Sequence, residues 1–265
     1  MTEAVWLNGA LLPRSEARLD PLAHGFLFGA GVYDSLRLRG SVPVALGRHL
    51  RRLADGAARL ELIAPDEATV RRAVQELSAA HGLTEARIRI TLADGVADET
   101  ISLITLAPLS PVKASIALTL TPWRRNEHSP LAGIKFTACA ENLLAQRAAL
   151  AAGGDEAVFR NTAGHLCETA FANLFLVSSG KVLTPPLTSG CLPGITREIV
   201  LELCTAHGIP FSEQTLTADD AVTAEEMIVT SSLRGVQPVH RLDAVTFPAP
   251  GPVTQRLAAL LAAAD

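Results

Sequence analysis

Two prolines within four residues, Pro108-Leu109-Ser110-Pro111, interrupt the apolar pattern near the middle of a chain of 265 residues. Neither proline can donate to a strand ladder, and the residue before each is pushed toward extended backbone, so no helix or central strand runs through. The sequence therefore predicts a first domain at residues 1–107, a linker at 108–113 and a second domain at 114–265.

Both parts mix strands and helices. In the first, Asn8-Gly9 marks a hairpin within Val5 to Leu12, and Val32 to Arg39 alternates as a strand, with Gly40-Ser41 turning toward Val42. Apolar residues at 50, 53, 57, 60 and 62 predict a helix over 48–62 that Pro65 stops, and 67–80 repeats the pattern. Ala86 to Leu92 and Thr100 to Leu106 read as paired strands. In the second part, a strand at Ser115 to Thr121 leads into a polar loop at Pro122 to Pro130 and a helix at Cys139 to Ala151. Strands follow at Glu156 to Arg160 and Asn173 to Val177, then a hairpin turn at Ser178 to Lys181. A helix at Thr196 to His207, a short strand at Met227 to Thr230 and a helix from Val253 complete the chain. The order is not βαβ throughout, so the expected class is α+β, with no internal repeat.

Charge narrows the partners. Lys plus Arg total 23 against 27 for Asp plus Glu, a net charge of −4, which leaves no basic excess for phosphate backbones. Apolar runs such as Ile101 to Ala107 are far shorter than the roughly 20 residues that cross a bilayer, and Met1 to Asp20 lacks the basic and apolar regions of a secretory signal. The expectation is a cytoplasmic protein with no nucleic-acid or membrane partner. Cys139, Cys167, Cys191 and Cys204 are 28, 24 and 13 residues apart with no His at ligand spacing, so they read as core residues rather than disulfides or a metal site.

The chain holds only three lysines against twenty arginines. Lys113 falls in the linker and Lys181 at a hairpin turn, where a solvated ammonium is the plain reading. Lys135 lies in Leu131-Ala-Gly-Ile-Lys-Phe136, and apolar neighbours disfavour the ammonium there. A neutral amine is a nucleophile toward aldehydes. The alternative is a lysine snorkelling from a strand edge. Gly25, Gly29 and Gly31 suggest a nucleotide loop, but the spacing lacks a third glycine and a strand follows, so a dinucleotide site is not expected.

Glu168-Thr-Ala-Phe-Ala-Asn-Leu-Phe175, Val182-Leu-Thr184 and Leu192-Pro-Gly-Ile-Thr-Arg197 together resemble the signature of the class IV aminotransferases, the fold-type IV enzymes of pyridoxal 5'-phosphate. The resemblance implies a two-domain homodimer with its active site between the domains. It makes Lys135 the Schiff-base lysine and general base, and Glu168 the carboxylate facing the pyridine nitrogen, although Glu168 could also be an ordinary acid at a polar turn. Gly194, Ile195 and Thr196 open a helix whose free N–H groups suit a phosphate dianion. Arg52 matches the family's phosphate arginine, and Ser231 and Ser232 lie in a segment, Thr230-Ser-Ser-Leu-Arg-Gly235, that resembles its phosphate and carboxylate loop. His24 and Tyr33 match pocket residues.

The member is read from the substrate side. Ser35 carries a hydroxyl where lyase-like sequences carry threonine, and Asn126 to Lys135 also resembles the lyase pattern. This favours 4-amino-4-deoxychorismate lyase, which forms p-aminobenzoate and pyruvate in folate biosynthesis. The alternatives are a transaminase of branched-chain or D-amino acids, and a non-catalytic cofactor-binding protein. Ala93-Asp94-Gly95 departs from the family's Thr-Arg-Gly, and Arg37, Arg89 or Arg125 is expected to supply the missing charge to a small-molecule substrate.

Overall fold

The computed structural model describes residues 3–97 and 99–264. Its chain divides between Pro111 and Val112 into two units, with Ile134–Ala138 returning to the first. The first unit contains β1 (Ala4–Leu7), β2 (Ala10–Pro13), α1 (His24–Leu27), β3 (Gly31–Arg39), β4 (Val42–Pro43), α2 (Leu46–Ala58), α3 (Glu67–His81), β5 (Ala86–Asp94) and β6 (Thr100–Ala107). Its sheet runs β2-β1-β6-β5-β3-β4 and is antiparallel throughout.

Local chemistry explains these elements. Asn8 and Gly9 have φ of 47° and 94°, the paired positive values that a two-residue hairpin needs. Asp66 caps α3 by accepting from the Thr69 N–H at 2.7 Å, and Gly82 ends it in the left-handed region at φ 66°. Along β3 burial alternates: Val32, Asp34, Leu36 and Leu38 are buried, while Tyr33, Ser35 and Arg37 are half-buried. The buried apolar residues of β3 pack with Leu53, Val70, Val74 and Leu77 of the two helices. Helix α2 stops at Ala58, short of the expected Leu62, because Glu61 turns to φ 56° and Leu62 N–H bonds back to the Ala57 carbonyl at 3.0 Å.

The second unit contains β7 (Ile116–Arg125), α4 (Ala140–Ala151), β8 (Glu156–Asn161), β9 (Leu166–Thr169), β10 (Asn173–Ser178), β11 (Lys181–Thr184), α5 (Ile195–Ala206), β12 (Phe211–Glu213), α6 (Ala218–Thr223), β13 (Glu226–Ser231), β14 (Gly235–Leu242), β15 (Val245–Thr246) and α7 (Pro252–Ala264). The sheet order is β12-β11-β10-β13-β14-β7-β8-β9, with β15 on β14. Parallel pairs (β7 with β8 and β14, β11 with β12) sit among antiparallel ones. Helices and strands are therefore mixed in both units, as the α+β reading expects.

Strands β9, β12, β14 and β15 and helices α1 and α6 have no expected counterpart, and β7 runs longer than expected. β7 does not end at Thr121: it continues through Pro122 to Arg125, with an irregularity between Leu120 and Arg124 that accommodates the proline. β14 follows β13 directly although it contains Pro238, because its pairing with β7 begins only at Val239.

Candidate active site

In the first unit, residues 134–138 lie along β3. The Tyr33 N–H donates to the Lys135 carbonyl at 2.8 Å, the Thr137 N–H donates to the Gly31 carbonyl at 2.8 Å, and Val32 bridges Phe136. Gly29 and Gly31 allow this approach, since a Cβ on Gly29 would come within 2.7 Å of Ala138 Cβ and one on Gly31 within 3.0 Å of Thr137 Oγ1. This corrects the placement of Lys135 in the second domain: main-chain bonds to β3 hold it in the first unit.

Lys135 is half-buried, and its Nζ lies 4.7 Å from the centroid of the Tyr33 ring. The Arg89 guanidinium lies 3.7 Å from the same centroid. Arg89 stands opposite Ser35 across β3 and β5, and its Nε donates to Thr91 Oγ1 at 3.2 Å. An amine, an aromatic face, a hydroxyl-bearing strand position and a guanidinium thus gather on the partly open face of one sheet.

The other candidates of this unit are engaged differently. Arg37 donates to Glu85 Oε2 at 3.0 Å, and Glu85 also accepts from the Gly40 N–H at 2.9 Å, which ties down the end of β3. At roughly 3.3 Å per residue, Arg37 is about 13 Å along the strand from Tyr33. His24 pairs through Nδ1 with Asp94 Oδ2 at 2.9 Å, so the residue standing where the family has arginine is a carboxylate bound to a pocket candidate. Beneath β3, Arg52 donates through Nε and Nη2 to Asp34 at 2.9 and 2.7 Å, and His49 Nδ1 lies 2.9 Å from the same carboxylate. Burial opposes charge on Asp34, but the Arg52 and His49 side chains outweigh it and hold the carboxyl well below its usual range. Asp34 and His49 were missed. The available signal was an acid at an inward strand position, between Val32 and Leu36, which requires a buried partner.

In the second unit, β9 carries Glu168. One oxygen lies 3.3 Å from Arg125 Nε and the other accepts from the Leu192 N–H at 2.9 Å, contacts that stabilise negative charge. Arg125 also donates to Glu141 at 2.8 Å and to Asn142 at 3.1 Å, and stacks 4.3 Å from the Phe159 centroid. Arg125, expected at a substrate carboxylate, thus stands beside Glu168, because the extended β7 delivers it next to β8.

Gly194 is the N-cap of helix α5, and no side chain caps that terminus. A Cβ on Gly194 would overlap Asn173 Oδ1, so glycine is required for this close packing. The Asn173 amide donates to the Leu192 carbonyl at 2.8 Å, and across β10 and β13 Asn173 stands opposite Thr230. Among the described residues Thr230 Oγ1 is buried with no hydrogen-bond partner. Ser231 Oγ accepts from Arg234 Nε at 3.3 Å, and Arg234 is fixed by Glu156 at 2.6 Å; Ser232 follows just beyond β13. The sequence reading included Thr230 only within its loop motif, and Asn173, Glu156 and Arg234 carried no assigned role.

Cys139, Cys167, Cys191 and Cys204 are free thiols. Burial pushes Cys191 and Cys204 up to about 11 and Cys167 further, which suits packing rather than nucleophilic work. Among the described residues no helix is long and apolar enough to cross a membrane, and no group of three His, Cys, Asp or Glu could hold a metal ion.

A model of the amino-transferase class IV family matches residues 31–242. A Thermotoga maritima protein provisionally named a branched-chain-amino-acid aminotransferase is 32% identical, over 96% of this chain and 93% of its own. The solved branched-chain aminotransferase of Thermoproteus uzoniensis, with norvaline, superposes with a TM-score of 0.92 at 27% identity, covering 99% of this chain and 94% of that one. A Legionella pneumophila structure provisionally named a 4-amino-4-deoxychorismate lyase superposes at 0.87 with 29% identity, covering 95% and 97%. With most of its length matched, the chain belongs to the class IV aminotransferases, enzymes that use pyridoxal 5'-phosphate.

Proposed function

We propose that this member is a 4-amino-4-deoxychorismate lyase. The residues suit the cofactor. In the second unit an uncapped helix N-terminus and the Thr230 hydroxyl, which has no partner among the described residues, suit a phosphate dianion, with Ser231 and Ser232 as further donors; in the first unit Arg52 is the phosphate arginine that the family resemblance implies. Glu168, held by Arg125, suits a protonated pyridine nitrogen, and Lys135 supplies the amine that anchors an aldehyde. When bound, pyridoxal 5'-phosphate supplies an electron sink for negative charge at the substrate's amine-bearing carbon.

The chain's own residues do the rest. Lys135 Nζ takes the ring proton from that carbon. Ser35 Oγ assists protonation of the departing enolpyruvyl group, so one proton leaves the ring as one is gained by pyruvate. Arg89 binds a substrate carboxylate. The observation that carries this reading is the shared strand face of Lys135, Tyr33, Ser35 and Arg89. The second reading, a transaminase of branched-chain or D-amino acids, is favoured by the named aminotransferase relatives.

Incubating the cofactor-loaded protein with 4-amino-4-deoxychorismate separates the two. Release of p-aminobenzoate and pyruvate in equal amounts, absent in Lys135→Ala, supports the lyase. Exchange of amino groups between leucine or D-alanine and 2-oxoglutarate, with no p-aminobenzoate, overturns it. A second copy of the chain is the proposed partner, supported by the exposed Leu22, Phe26 and Phe28 at 69%, 75% and 72% of their surface.

A further inference from the structure

We infer that Asp34 is a positioning residue that aims Arg52 at the phosphate of the cofactor, a proposal that rests on reading Arg52 as a phosphate residue. Asp34 faces inward from β3 and has no exposed surface. Its carboxylate takes four donors: Arg52 Nε at 2.9 Å, Arg52 Nη2 at 2.7 Å, His49 Nδ1 at 2.9 Å and the Ser35 N–H at 2.7 Å. His49 and Arg52 are three residues apart on α2, so they reach the carboxylate from one helix face.

An arginine on a helix surface has several rotatable bonds and no fixed plane. A bidentate carboxylate fixes that plane, because the guanidinium fork and the carboxylate are matched in geometry. Asp34 takes the Nε and Nη2 edge, which fixes the plane and rotation of the whole guanidinium. Exchanging the carboxylate for a neutral group removes the charge that holds the Nε and Nη2 edge of Arg52. Orientation is therefore built into β3 at the residue next to Ser35, and Asp34 touches neither cofactor nor substrate.

A simple neutralising role would have the opposite sign. An acid that only offsets the positive charge of Arg52 weakens its attraction for a dianion, so removing that acid would tighten phosphate binding. A positioning acid strengthens binding, so removing it loosens the phosphate.

The test compares pyridoxal 5'-phosphate with pyridoxal, which lacks the phosphate, in wild type, Asp34→Asn, Arg52→Ala, Arg52→Lys and the double variant Asp34→Asn/Arg52→Ala. Dissociation constants are read from the absorbance of the lysine-bound cofactor, with melting temperature and circular dichroism as checks on folding. Asp34→Asn is expected to weaken pyridoxal 5'-phosphate about tenfold or more while leaving pyridoxal nearly unchanged. The double variant should be no weaker than Arg52→Ala alone. Arg52→Lys keeps the charge but not the fork, and should lose phosphate discrimination as Arg52→Ala does, which tests the idea even if Asp34→Asn does not fold. Equal weakening of both ligands, tighter phosphate binding in Asp34→Asn, additive losses in the double variant, or full discrimination in Arg52→Lys would each overturn it. If Arg52→Ala itself leaves the ratio of the two ligands unchanged, the phosphate reading of Arg52 fails first, and the failure is visible separately.

Discussion

The guanidinium of Arg89 stacks on the ring of Tyr33 at 3.7 Å from its centroid, and among the described residues it makes no ion pair. Arg37 and Arg125, the other two arginines expected to meet a substrate carboxylate, are both paired with acids. Arg89→Ala is therefore expected to raise KM for an acidic substrate about 10- to 100-fold, the range of one charge-assisted hydrogen bond. Steady-state kinetics check this, with Arg37→Ala as a control that leaves KM unchanged.

Asp34 also sets an acid limit. Its folded carboxyl is held below the ordinary value near 3.9, so its contribution to stability is complete above about pH 4 and is lost as pH falls toward the folded value. Urea unfolding from pH 6 to pH 3 should show the loss in wild type and a shallower slope in Asp34→Asn. At neutral pH, Asp34→Ala is expected to cost about 3–5 kcal/mol, since it removes the buried carboxylate that pairs with Arg52 and His49.

Thr230 offers a separation of fold from binding. Its hydroxyl has no hydrogen-bond partner among the described residues, so Thr230→Val should leave the melting temperature of the apoprotein unchanged or raised. Affinity for pyridoxal 5'-phosphate should nevertheless fall about tenfold. A melting point that drops without any change in affinity would assign Thr230 to packing instead.

Glu168→Gln keeps a side-chain oxygen for the Leu192 N–H but removes the charge facing Arg125. The expected result is a folded protein that still binds the cofactor and turns over about 100-fold more slowly, as for loss of one electrostatic group in a preorganised site. Single-turnover absorbance measurements distinguish this from lost binding.

Phe26→Asp places a charge in the exposed apolar cluster with Leu22 and Phe28. Light scattering after size exclusion should show wild type as a dimer and the variant as a monomer. A monomeric wild type would remove the proposed partner.

Local patterns in the sequence determined much of the architecture. Asn8-Gly9, the cap at Asp66 and the alternation of Val32 to Arg39 depend on neighbours a few residues away, and each forms where its pattern predicts. The motif residues Lys135, Glu168 and Gly194 were also legible, because amine, carboxylate and uncapped helix start are chemical features of single short segments. What they touch was not. Lys135 belongs to the first unit only because residues 134–138 bond to β3, about a hundred residues earlier in the chain. Arg125 reaches Glu168 only because β7 runs past Pro122. Arg89 acquires Tyr33, and Asp34 acquires Arg52, through sheet register and the packing of α2 on the sheet. These partnerships are long-range, set by which strands pair and which face each residue meets, so only the tertiary structure could decide them.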